Sequence, residues 1–201
     1  MSGLAVAILA AGRSARFGAE DKLAAPFLGK PLGLHTADAL IGLDVLRRWV
    51  IVRTVDHPCV PGWMSAGFEP VVNPDAADGM ASSLRCAAER ALEIGAEGLL
   101  VCLADMPLVP SAHFSALVQA WAERGGLIAS QDGALVSPPA IFSREQFGAL
   151  SSLTGDQGAK PLLKTAFRVT GPRGALMDVD DPETLRRLSK GWRGDCRFAE
   201  A

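Results

Sequence analysis

Cysteine and histidine are scarce in this chain of 201 residues, with four and three respectively, and none is spaced for chemistry. Cys59, Cys86, Cys102 and Cys196 form no CxxC pair. That argues against a zinc site and a disulfide framework, and a reducing cytoplasm is the expected location. His35, His57 and His113 stand in unrelated surroundings and read as surface or packing residues. No GxSxG elbow is present, and Ser82 and Ser83 have no histidine close in sequence, so a covalent serine or cysteine mechanism lacks support. No unbroken apolar run approaches the roughly 18 residues of a membrane helix. The opening Met-Ser-Gly-Leu-Ala lacks the charged region of a secretion signal. A net charge of −2 gives no general attraction to nucleic acid or to an anionic membrane, so any basic site must be local. Walker A and GxGxxG patterns are absent, as are internal repeats and low-complexity tracts.

The composition that remains, 49% hydrophobic and 21% charged, is that of a globular chain able to bury a core. A single domain over residues 1–188 with a short tail at 189–201 is expected. Leu4 to Leu9 is a continuous apolar run ended by small residues, the pattern of a buried parallel strand. Further strands are read at Arg48–Arg53, at 69–74 ("EPVVNP") and at 98–105 ("GLLVCLAD"). Helices are read at 31–43 (opened by Pro31), at 80–94, and from Ser111 as N-cap to a stop at Gly125. This alternation predicts an α/β fold, a Rossmann-like three-layer sandwich with a mostly parallel central sheet. Beyond residue 130 the sequence becomes turn-rich and predicts a small irregular C-terminal lobe with two short helices and short strands at "FRVT" and "GALMDVDD". In such sheets ligands bind beyond the carboxyl ends of the strands. The loops at 10–22 and 104–110 should therefore share one edge.

The first loop, "LAAGRSARFGAEDK", sets small residues at a strand end and Arg13, Arg16 and Lys22 close behind. Small residues let backbone N–H groups approach an anion, and the cations suit phosphate oxygens. A solvated loop with ordinary surface charge is the alternative. In "CLADMPLV", Asp105 follows a buried strand, where a carboxylate facing phosphates suits Mg²⁺. A turn or helix-cap role competes with that reading. "MDVDDPETL" supplies Asp178 and Asp180, which strand alternation would set on one side, and Asp181, an N-cap before Pro182. Either Asp178 or Asp180 could complete a metal site with Asp105.

Five stretches together resemble the MobA-like nucleotidyltransferases: "LAAGRSARFGAEDKL", "NPDAADGMASSLRCA", "LADMPLV", "PAIFSREQFGALSSLTGDQGAKPLL" and "DVDDPETL". They occur in that family's order, from about residue 4 to residue 188, and are most similar to its molybdenum cofactor cytidylyltransferase branch. The resemblance implies a Rossmann-like fold and Mg²⁺-dependent transfer of a nucleotidyl group from an NTP to a phosphate acceptor, with release of pyrophosphate. It implies that Leu9, Ala10, Ala11 and Gly12 shape the nucleotide pocket, that Arg13, Arg16 and Lys22 hold the triphosphate, and that Asn73, Gly79, Met80 and Ser82 border base and ribose. It implies Asp105 and either Asp180 or Asp178 as metal ligands. Gly155, Asp156, Gly158 and Lys160 would flank the acceptor, with Lys160 in place of the family's usual arginine. "LAAG" with Ala11, where guanylyl-transferring relatives usually show "LAGG", and "RFGAEDKL" resemble the cytidylyl branch. The expected partners are CTP and a phosphorylated pterin, with a molybdoenzyme as recipient. The alternatives are GTP or another NTP with an acceptor such as a sugar phosphate, and a non-catalytic accessory protein that binds nucleotide or cofactor for a molybdoenzyme.

Overall fold

The computed structural model describes residues 3–12, 17, 21–155, 158–193 and 197–198. Seven strands form one sheet: β1 (Leu4–Leu9), β2 (Arg47–Val52), β3 (Glu69–Val72), β4 (Gly98–Leu103), β5 (Ile128–Asp132), β6 (Leu135–Ser143) and β7 (Phe167–Thr170). Their spatial order is β3-β2-β1-β4-β6-β5-β7. Only β6 runs against the others. The chain leaves β1 toward β2 and β3, then returns across β1 to place β4 on its other side. That reversal opens a crevice between the carboxyl ends of β1 and β4, where open α/β sheets bind ligands.

All six residues of β1 are buried, as its continuous apolar run requires. Its alternation divides the core into two faces. Leu4, Val6 and Ile8 pack under α1 (Leu34–Leu40), α2 (Val60–Ser65), α4 (Ser111–Arg124) and α7 (Pro182–Gly191). Ala5, Ala7 and Leu9 pack under α3 (Met80–Glu93), α5 (Phe147–Ser151) and α6 (Lys160–Leu163). The small residues of β1 meet Ala87, Ala88 and Ala91 of α3 on this second face, so helix and strand lie close. The result is the expected three-layer sandwich.

Several local expectations are corrected. Pro31 does not open a helix: it sits in a two-residue ladder with Pro26–Phe27, and α1 begins three residues later. Gly33 holds the chain back there, because its N–H donates to Leu23 O (2.9 Å) and its carbonyl accepts from Trp63 Nε1 (2.8 Å). Ser111 is the first helical residue of α4, and Pro110 occupies the cap position. The turn-rich stretch after residue 130 contains a hairpin, β5–β6, which extends the central sheet. Pro138 and Pro139 mask its strand pattern. "GALMDVDD" is not a strand. Gly174 takes a left-handed φ of +77°, and the segment touches the sheet edge through single bonds, Val179 N–H to Asp105 O (2.9 Å) and Gly174 N–H to Asp132 Oδ2 (2.6 Å). Asp181 does cap α7, accepting from Thr184 N–H (2.7 Å). That helix continues to Gly191, into the stretch expected to be tail; residues 194–196 and 199–201 lie outside the described residues.

Candidate active site

The two loops expected on one edge do meet. Ala104 N–H donates to Leu9 O (3.1 Å), which continues the β1–β4 pairing past the strand ends. Ala10 N–H donates to Ile51 O (2.9 Å). Leu9, Ala10 and Ala11 are buried and Gly12 is exposed, so the strand end turns out of the core at Gly12. Among the described residues other than its chain neighbours, no atom lies within 4 Å of where a Cβ would project from Gly12. Arg13, Arg16 and Asp156 lie outside the described residues.

Lys22 begins a short 3-10 turn (Lys22–Ala24) and points at the end of β4. Its ammonium donates to Asp105 Oδ2 (2.7 Å) and Asp180 Oδ1 (3.2 Å). Eighty-three and 158 residues separate Lys22 from these partners, and the crevice alone brings them together. The Lys22 side chain is 12% exposed, against 21% for Asp105 and 44% for Asp180. Burial works against the charged amine, but Asp105 and then Asp180 outweigh it and hold the Lys22 pKa above its ordinary value. Asp178 reaches solvent beside them. Partial burial, then the charges of Asp180 and Asp105, raise its carboxyl above the usual range.

The arrangement tests whether a divalent cation fits. Two carboxylates from separate segments converge on one positive group, and a third stands close enough to feel them. Among the described residues no three His, Cys, Asp or Glu side chains form a closed cage. That donor set suits Mg²⁺ or Mn²⁺, which take one or two carboxylates and complete their shell with phosphate oxygens and water. Asp105 and Asp180 would hold such an ion.

The opposite flank is built by α3 and its preceding loop. Asn73 is buried, and its Nδ2 donates to Ser82 Oγ (2.8 Å) and Ser83 Oγ (3.1 Å) while its Oδ1 accepts from Asp75 N–H (3.0 Å). Ser82 Oγ donates to Gly79 O (2.8 Å). Asn73 and Ser82 thus lock the turn that carries Gly79 (φ +89°) and the exposed Met80. The structure also ties this turn to the 153–155 stretch. Ala81 N–H donates to Gly155 O (3.2 Å), and Arg85 Nη1 donates to Leu153 O (2.9 Å). A Cβ on Gly158 (φ +55°) would come within 2.7 Å of Met80 Sδ. Lys160 is exposed at the start of α6, and no described contact joins it to Lys22 or the carboxylates.

Three polar residues at this edge escape a reading of the sequence. Arg53, just past β2, donates from Nη2 to Gly12 O (2.9 Å) and steadies the first loop. Arg85 clamps the 153–155 turn. His57 is a half-buried packing residue, as one of the two expected alternatives has it, with Nε2 3.2 Å from Asp21 Oδ1. Arg53 and His57 stand in no motif, Arg85 lies inside one without an expected role, and each partner is distant in sequence. Cys59 stays an inert thiol: burial, then the Asp21 charge, push its pKa up to about 11, and Sγ donates to Leu23 O (3.2 Å).

Comparison with known proteins adds a lineage to this geometry. Residues 6–170 match the profile of the MobA-like NTP transferase domain. The purine catabolism protein PucB of Bacillus subtilis is 32% identical over 190 residues, covering 87% of this chain and 90% of that protein. A probable molybdenum cofactor guanylyltransferase of Pyrococcus horikoshii is 43% identical over 70 residues, 35% of each chain. Among solved structures, Rv0371c of Mycobacterium tuberculosis in complex with manganese is 24% identical, with a TM-score of 0.69 over 94% of this chain and 99% of that one. No helix among the described residues is long and apolar enough to cross a membrane.

Proposed function

Since the chain belongs to the MobA-like NTP transferase family and is a nucleotidyltransferase, we propose that it moves CMP from CTP to the terminal phosphate of a molybdopterin-type cofactor. The observation that carries the catalytic part is the convergence of Lys22 on Asp105 and Asp180 at the mouth of the β1–β4 crevice. An oxygen of the acceptor phosphate attacks the α-phosphorus in line. The bond to the β-phosphate oxygen breaks, and pyrophosphate leaves with its electron pair. No enzyme nucleophile is needed; catalysis is positioning and charge neutralisation. When bound at Asp105 and Asp180, Mg²⁺ or Mn²⁺ supplies Lewis-acid polarisation of the phosphate oxygens. Lys22, with Arg13 and Arg16, neutralises charge growing on the leaving pyrophosphate.

The other assignments follow the same layout. Leu9, Ala10, Ala11 and Gly12 line the nucleotide side with backbone. Gly79 and Met80 border the base, on a turn that Asn73 and Ser82 hold in place. Gly155, Gly158 and Lys160 are assigned to the acceptor on the motif they share with Asp156, which lies outside the described residues. The pterin acceptor is supported by the name of the Pyrococcus relative, and the manganese complex of the mycobacterial protein supports a divalent metal here. That relative's name specifies a guanylyl group. Ala11 favours cytidylyl in this chain, because a methyl at the buried strand end narrows the space for a purine. Nucleotide competition with Ala11→Gly tests this: the variant should gain GTP use, and unchanged selectivity would remove Ala11 as the selector. The activity itself is tested by pyrophosphate release with CTP, divalent metal and the phosphorylated pterin, each omitted in turn.

A further inference from the structure

We propose that His57 is a positioning residue for Lys22 and acts through Asp21. This rests on the reading above, in which Lys22 meets the nucleotide's phosphates. Lys22 carries a long, flexible side chain, so its use at a defined point depends on how firmly its backbone turn is held. Asp21 caps that turn, accepting from Leu23 N–H (2.8 Å) and Ala24 N–H (3.4 Å). Its carboxylate also faces His57 Nε2 at 3.2 Å. The His57 side chain is 9% exposed, and its Nδ1 accepts from Cys59 N–H (3.1 Å). An accepting Nδ1 places the proton of the neutral ring on Nε2, toward Asp21. The Nε2–Asp21 approach is off the line of a full hydrogen bond, which leaves Nε2 buried with Asp21 as its electrostatic counterpart. Removing His57 would therefore leave the Asp21 carboxylate without its cross-loop electrostatic counterpart.

The other side of the turn is held by the same segment. The His57 ring stacks on Trp63 (centroids 5.1 Å apart, planes at 25°). Trp63 Nε1 donates to Gly33 O, and Gly33 N–H donates to Leu23 O. Cys59 Sγ donates to the same Leu23 carbonyl. Residues 57–63 thus bracket the Lys22 turn from both flanks, and no described hydrogen bond or ion pair joins them to Lys22 itself. A packing histidine would need neither the carboxylate nor the fixed tautomer.

The test is a binding cycle read by calorimetry with CTP and Mg²⁺, with melting temperatures recorded for every variant. His57→Phe keeps the stack on Trp63 and loses the donor; His57→Gln keeps a donor and an acceptor. His57→Phe should weaken CTP binding about tenfold, and His57→Gln should restore most of it. In a Lys22→Ala background, His57→Phe should cause no further loss. Equal affinity of His57→Phe and wild type, or the same fractional loss with and without Lys22, would overturn the proposal. Lys22→Ala binding CTP as tightly as wild type would instead overturn the phosphate role of Lys22, and the positioning role with it. Should His57→Phe fail to fold, Asp21→Asn, which keeps the capping oxygen and removes the charge, is paired with Lys22→Ala and judged by the same outcomes.

Discussion

Replacing Lys22 by methionine should make the metal-free, nucleotide-free protein bind Mn²⁺ more tightly. The ammonium sits between Asp105 and Asp180, at 2.7 and 3.2 Å, in the position a cation would take. A unit-charge pair at about 3 Å is worth roughly 5 kcal/mol before desolvation at an effective dielectric near 20. Much of that is cancelled by the cost of burying the amine, and Asp180 is exposed enough for solvent to screen its share. A net release of about 1.4–2.7 kcal/mol remains, which is roughly a tenfold to hundredfold gain in Mn²⁺ affinity. Methionine keeps the stem's apolar contacts and removes only the charge. Titration followed by the electron paramagnetic resonance of free Mn²⁺ gives the dissociation constant directly, and circular dichroism checks the fold. The same variant should lose nucleotidyl transfer, since the proposed mechanism needs the Lys22 charge at the leaving pyrophosphate. Mn²⁺ affinity equal to or weaker than wild type would show that the ammonium does not stand in for the metal, and the assignment of Asp105 and Asp180 would fall with it.

Further outcomes follow from the same geometry. Asp105→Asn should fold and lose at least about a hundredfold in turnover, consistent with losing several kcal/mol of electrostatic stabilisation; turnover within threefold of wild type would remove its metal role. Asn73→Ala should cost about 2–4 kcal/mol in urea unfolding, because it removes three hydrogen bonds, two of them to the buried Ser82 and Ser83 hydroxyls; a loss under about 0.5 kcal/mol would contradict that network. For Asp21, the His57 contact comes first among the influences that hold its carboxyl below the ordinary value near 3.8. Its stabilisation is thus present above that pH and is lost as the pH falls through the lower folded-state value. Asp21→Asn should therefore destabilise the protein at pH 7 and by progressively less as the pH is lowered below 3.8, and a loss that stays constant throughout would refute the pair.

What the sequence discloses and what it hides divide along the range of the interactions. β1 and β4 are legible because burial on both faces demands unbroken apolar runs, and each is followed by a conspicuous polar loop. α3 is legible from the spacing of Leu84, Ala87, Ala88 and Ala91. The shared edge of the loops bearing Lys22 and Asp105 follows from the crossover rule alone. The β5–β6 hairpin escaped because Pro138, Pro139 and Gly133 break the pattern by which strands are read. The sequence pattern sets Asp178 and Asp180 on a strand, whereas their approach to Asp105 comes from one backbone bond at Val179. His57 is the least legible, since its partner Asp21 is 36 positions away and no periodicity announces a carboxylate on another loop. Small motifs expose the groups that meet a ligand; the residues that hold those groups in place become visible only once the chain is folded.

The central claim is tested most directly by pyrophosphate release from CTP, with Mg²⁺ and the phosphorylated pterin cofactor present and each omitted in turn, and with GTP and ATP in place of CTP. Release with CTP that requires both metal and pterin, and exceeds that with GTP and ATP, is the predicted result. No release with any nucleotide, although nucleotide raises the melting temperature, would contradict it and leave the accessory-protein reading standing.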